Sequence, residues 1–159
     1  AMTDPAVRVD VARFTEGLDL DLQRMEQEIR LEVRRIAVEM RGYARQNAPV
    51  RKPTRNKAGK MVSHTAGLRT SITSQVVDDD DGLTAVVGTN RTYGPYVEFG
   101  TGDRGMAANG GNYKGHQAEV SYTAGWPGMV PQSYLRPALY DKETEFVGKI
   151  DQAVRRSIR

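Results

Sequence analysis

Between Leu18 and Met40 the apolar residues Leu18, Leu22, Met25, Ile29, Val33, Ile36 and Met40 return every three or four positions, with Asp21, Arg24, Glu28, Arg30, Arg34, Arg35 and Glu39 set between them. A single stripe of this kind predicts an amphipathic helix from Leu18 to Asn47, ended by Asn47-Ala48-Pro49. Such a helix is about 45 Å long, whereas a compact domain of this chain length has a radius of gyration near ~15 Å and a diameter of roughly 40 Å. The helix therefore crosses the whole subunit or projects beyond it. A projecting apolar stripe needs a cover, and a second copy of the chain is the economical one; a helix covered wholly by its own sheet is the competing reading.

Further along, the period changes. Ile72 to Val77 and Leu83 to Gly88 read as two strands joined by an acidic turn that ends in Asp81-Gly82. Tyr96 to Phe99 alternates like a third strand, entered through Gly94-Pro95 and stopped by Gly100-Thr101-Gly102. A short fourth strand is expected at Ala118 to Thr123, where Val120 and Tyr122 share a face. Pro137 suits the first position of a second helix, lined by Leu139, Phe146 or Val147, Ile150, Val154 and Ile158, with Lys149, Arg155, Arg156 and Arg159 toward its negative pole. The expected fold is α+β: a long N-terminal helix and a C-terminal helix packed on a small antiparallel sheet of three to four strands, with a long glycine-rich loop from Asp103 to Met129. Gly105, Gly110, Gly111 and Gly115 would keep that loop flexible, and Arg51 to Ala66 reads as a mobile loop. Residues 1–16 read as a flexible arm and 17–159 as one domain, in keeping with a chain of 159 residues.

Two segments carry a resemblance. Tyr93-x-x-Tyr96-Val97-Glu98-Phe99-Gly100-Thr101, followed by Tyr134-Leu135-Arg136-Pro137-Ala138-Leu139, resembles the signature of the tail-completion family, the head-tail joining or neck proteins of long-tailed double-stranded DNA phages and prophages. The segment Gly67-Leu68-Arg69-Thr70-Ser71-Ile72, which leads into the first strand, is similar to the family's Gly-x-Leu-x-x-Ser-Ile segment as well. The resemblance implies a non-enzymatic α+β virion subunit, assembled in the host cytoplasm. Its implied place is a ring, hexameric by the same resemblance, at the head-tail junction. There its partners would be further copies of itself, the head-connector or stopper proteins, the tail terminator or tail-tube proteins, and double-stranded DNA in passage. A tail terminator of similar fold is an alternative. The candidate interface residues are Tyr93, Tyr96, Glu98, Phe99, Thr101 and Arg136 from the family-like segments, with Trp126 added from the loop.

Composition removes other function classes. With no cysteine there is no disulfide or thiolate metal site, no apolar run reaches the length of a membrane span, and His64 and His116 lack partners at ligand spacing, so no cofactor or catalytic site is expected. Asp78 to Asp81 lacks the alternate spacing of a calcium loop and reads as a solvated hairpin tip, or as a contact for a neighbour's basic loop. The formal net charge is +3. The cations Arg51, Lys52, Arg55, Lys57 and Lys60 are concentrated in a stretch free of carboxylates, which suits contact with DNA or with an acidic face of a neighbouring ring. A basic nucleic-acid-binding module using these residues and Arg155 to Arg159 is the alternative function. Trp126 reads as an aromatic anchor in the loop. Glu98, a charge within an apolar run, calls for an arginine, with Arg136 and Arg69 as candidates.

Overall fold

A computed structural model describes residues 11–50, 54–62, 67–79, 82–108, 112–113, 115–117 and 120–158. The first helix, α1, runs without a break from Val11 to Asn47 and so begins ahead of the expected Leu18. Residues 1–10 of the expected arm lie outside the described residues. Every buried side chain described on α1 lies at Glu32 or beyond it: Glu32, Val33, Ile36, Ala37, Met40 and Ala44. The apolar stripe is thus divided. Its C-terminal half is core, while Leu18 and Leu22 are each 50% exposed. From Gly17 to Arg24, about 12 Å of helix, every residue is exposed.

The rest of the domain is built on the buried half. After β1 (Thr54–Arg55), β2 (Met61–Val62) and the single turn α2 (Gly67–Ser71), strands β3 (Ile72–Asp79) and β4 (Gly82–Thr89) form an antiparallel hairpin. Ile72 pairs with Thr89, Ser74 with Val87 and Val76 with Ala85, so a period of two turns one face toward α1. Next come α3 (Gly94–Phe99), α4 (Gly102–Ala107), β5 (Asn112–Tyr113), β6 (His116–Gln117), α5 (Leu135–Tyr140) and α6 (Glu143–Ser157). Helix α1 packs against the hairpin and against both α5 and α6. One core cluster joins Ala44, Ala48, Leu68, Ile72, Tyr134 and Ala138; a second joins Ile36, Met40 and Phe146. Alanines at the first crossing let the backbones approach closely. Phe146 fills the inward position that the sequence left shared with Val147, which is exposed.

The α+β architecture with long first and last helices is as expected, but the sheets among the described residues are all two-stranded. Tyr96 to Phe99 is not a strand: it belongs to α3. Pro95 sits in the first helical turn, where its missing N–H is no loss, and Gly100, at φ 76°, ends the helix while its N–H bonds the Tyr96 carbonyl at 3.0 Å. The expected fourth strand is absent over Val120 to Thr123, and Ala118 and Glu119 lie outside the described residues. The C-terminal helix is also interrupted, by a turn at Asp141 and Lys142, and it starts at Leu135 rather than Pro137.

The basic loop, outside the core as expected, contains a small hairpin. Thr54 pairs with Val62 and Arg55 with Met61, and the Asn56 side-chain oxygen accepts from the Ala58 and Lys60 amides at 3.1 and 2.9 Å. Ion pairs tie the helices together. Lys149 bonds Glu39 on α1 and Glu145 on its own helix, which raises its pKa, and Arg156 reaches buried Glu32 at 3.3 Å. Asp78, at the start of the acidic turn, is bound within the subunit by Arg30 at 2.6 Å; Asp80 and Asp81 lie outside the described residues.

Candidate functional site

The two segments that stood out in the sequence meet through Glu98. Its carboxylate accepts hydrogen bonds from the amides of Tyr134, Leu135 and Arg136 at 2.7, 2.9 and 3.2 Å, and from Arg136 Nε at 2.8 Å. A carboxylate from α3 therefore caps α5, which has no cap of its own at Tyr134. The pair is almost sealed, with Glu98 2% and Arg136 10% exposed. Arg136 also donates to the Glu98 carbonyl at 2.9 Å and to Ser133 Oγ at 2.8 Å, while its guanidinium lies 4.7 Å from the Phe99 ring centroid and 5.3 Å from that of Tyr113. Of the two candidate arginines, Arg136 holds Glu98. Arg69 instead donates to the Ala48 carbonyl at 2.9 Å, just past the end of α1. The lock between the two segments lies within one subunit.

The loop launched from α3 is tied shut at its base. Thr101 and Met129 exchange two backbone hydrogen bonds of 2.9 Å, and the Asp103 and Arg104 amides donate to the Trp126 and Pro127 carbonyls at 3.0 and 3.1 Å. Glycine is required there for space: at Gly128, φ 62°, a Cβ would fall 1.8 Å from the Thr101 carbonyl oxygen. Gly105, expected to give flexibility, instead lies inside α4 under the Tyr122 ring, which would be 2.7 Å from an added Cβ. Gly115, at φ 85°, sits in the turn between β5 and β6; Gly110 and Gly111 lie outside the described residues. The Tyr122 hydroxyl donates to the Phe99 carbonyl at 2.8 Å, and burial raises its pKa.

This closed base and α3 enclose a groove of about 880 Å3, lined in part by Tyr93, Tyr96, Phe99, Thr101 and Trp126. Five of the seven interface residues singled out in the sequence thus share one surface, and Glu98 and Arg136 brace it from behind. Tyr96 is 59% and Trp126 47% exposed. Pro95, Val120, Tyr122 and Met129 are also in the lining, which contains no charged residue. These four were missed; the clue was available in Val120, Tyr122, Trp126 and Met129, apolar or aromatic positions within an otherwise polar stretch.

The cations fall elsewhere. Arg55, Lys57 and Lys60 are exposed on the small hairpin, and Arg51 and Lys52 lie outside the described residues. Arg155 is paired with Asp151 at 2.7 Å and Arg156 with Glu32 at 3.3 Å. His116 is exposed and stacks on Tyr140 with ring centroids 3.7 Å apart; His64 lies outside the described residues. Among the described residues no group of acidic or histidine side chains could hold a metal, and no helix is long and apolar enough to cross a membrane.

A family model described as "Bacteriophage HK97-gp10, putative tail-component" matches residues 13–100, from the projecting end of α1 through α3. The chain belongs to this HK97-gp10-like family. No curated protein and no solved structure matches it. The family is one of structural phage tail components rather than enzymes, which places the chain among the proteins of the virion tail. The matched span includes the motif from Tyr93 to Phe99 but ends before the loop and α5, the partners of α3 in the groove and the lock.

Proposed function

We propose that this tail component is a neck subunit that completes the tail: copies assemble as a ring between the head connector and the tail tube, and DNA passes through the opening. The observation that carries this reading is the projecting half of α1. A helix whose leucines remain half-exposed over several turns is incomplete alone, and covering each would add on the order of 1 kcal/mol. The aromatic groove is a second uncovered surface. A subunit with two such surfaces is suited to repeated association with its own kind. A hexameric ring is the stoichiometry that the family resemblance supports.

In the assembled neck, the distal part of the loop from Asp103 to Met129 would meet the adjoining ring. Arg55, Lys57 and Lys60, exposed on their hairpin, would face an acidic ring surface or the passing duplex. Fixed phosphate contacts repeated around a ring would retard sliding, so transient contact is the mode compatible with passage.

Light scattering on the purified chain, with and without tail-tube protein, tests the reading. The expected result is a defined multiple of 17.6 kDa, formed alone or on adding the tail-tube protein. A monomer indifferent to that protein, together with tight duplex binding that collapses as salt is added, would replace the neck assignment with the basic nucleic-acid-binding module.

A further inference from the structure

Among the described residues, two of the uncovered apolar surfaces lie at opposite ends of the subunit. Leu18 and Leu22, each 50% exposed, and the partly buried Met25 occupy the projecting end of α1. The groove lies beyond the other end: Ala44 and Ala48 pack with Leu68 and Tyr134, and the space beside Gly94 of α3 is bounded by those same two side chains. Leu22 and Ala44 are separated by roughly 33 Å of helix. Because α1 is continuous and contains no proline, its free end cannot turn back into its own groove. The groove's walls are aromatic and uncharged, whereas the helix offers apolar side chains at i, i+4 and i+7, the spacing by which an amphipathic helix enters an apolar groove.

The surrounding charges agree. Asp19 and Glu28 flank the leucines on α1 and have no partner among the described residues. Arg91 and Arg104, which stand close to the groove-lining Tyr93 and Gly102 along the chain, likewise present guanidinium groups without a partner among the described residues. Acidic flanks on the helix therefore meet cationic flanks on the groove.

We propose that the groove receives the projecting end of α1 from a second copy, Leu18, Leu22 and Met25 packing between Tyr96 and Trp126. The inference rests on the ring reading above and deepens it. The interface is heterologous: each subunit gives a helix to one neighbour and takes a helix from the other, an arrangement that forms a ring when the rotation between neighbours closes.

Two exposed-site variants test it, Leu22→Asp to spoil the helix and Tyr96→Asp to spoil the groove, in the full chain under the conditions in which the unaltered chain multimerises. Each variant alone is expected to remain monomeric with unchanged helix content by circular dichroism. Mixed, they are expected to form a heterodimer and nothing larger, since the intact groove of one accepts the intact helix of the other and the two remaining surfaces are dead. If both variants multimerise like the parent, the groove assignment falls while the ring stands. If the parent multimerises but the mixture stays monomeric, the helix and groove are not each other's partners. A parent chain that stays monomeric with and without tail-tube protein overturns both readings.

Discussion

Glu98→Ala is the substitution whose effect the structure fixes most firmly. It removes the acceptor of four hydrogen bonds in a site that is almost sealed from water, leaving the amides of Tyr134, Leu135 and Arg136 and a guanidinium 10% exposed without their carboxylate. Deleting one partner of a buried ion pair costs about 3–5 kcal/mol, because the other charge stays buried. Arg136→Ala leaves Glu98 with its three backbone donors, so its cost should be nearer ~2–3 kcal/mol, including the lost contacts with the Phe99 and Tyr113 rings. In the double variant the stranded cation is absent, and the total should fall short of the sum of the singles by about 1–3 kcal/mol. Urea unfolding followed by circular dichroism measures all three; with a slope of about 2 kcal/mol per molar, Glu98→Ala moves the midpoint down by roughly 2 M. A loss under about 1 kcal/mol, a larger loss for Arg136→Ala, or strict additivity would each refute the reasoning.

Two further outcomes are expected. Burial, and then the nearby Glu98 charge, push the Tyr134 phenol from 10 up to about 12. Both states hold the proton below pH 10, and between 10 and about 12 the unfolded chain alone releases it. Stability should therefore drop by about 2–3 kcal/mol across that window; urea midpoints measured against pH should lose this component in Tyr134→Phe, and an unchanged profile would refute it. Gly128→Ala forces a Cβ against the Thr101 carbonyl at positive φ and should break the Thr101–Met129 bridge at the loop base. Hydrogen exchange at the Thr101 and Met129 amides should then accelerate by at least about tenfold, corresponding to ~1.4 kcal/mol, and unchanged protection would contradict the account.

The sequence made α1 legible because its stripe spans many turns, enough for a period to declare itself. Four residues are not enough: Tyr96 to Phe99 alternates as a strand would, yet Pro95 and Gly100 bound a helical turn whose conformation is fixed by where Glu98 must reach. Glu98 itself was conspicuous as a charge in an apolar run, and Arg136 was one of two arginines that could answer it. The loop closure was hidden because Thr101 and Met129 are far apart in the chain and neither carries a local signal for pairing. The break at Asp141 and Lys142 contains neither glycine nor proline. It sits between tertiary contacts, Tyr140 stacked on His116 and Lys142 over the Tyr43 ring, which no local pattern encodes.

The lock and the groove share α3. Within its single turn and a half Glu98 faces inward to the start of α5, while Tyr96 faces outward into the groove. A helix this short has no stability of its own, so the orientation of Tyr96 is only as firm as the anchoring of Glu98. The Phe99 carbonyl that accepts from Tyr122 belongs to the same turn, which makes the opposite wall of the groove depend on that anchor too. It follows that Glu98→Ala should weaken assembly beyond its effect on the folded fraction, although Glu98 touches no neighbour. A variant that folds fully under the assay conditions and still assembles like the parent would show that the groove walls hold their places without the lock.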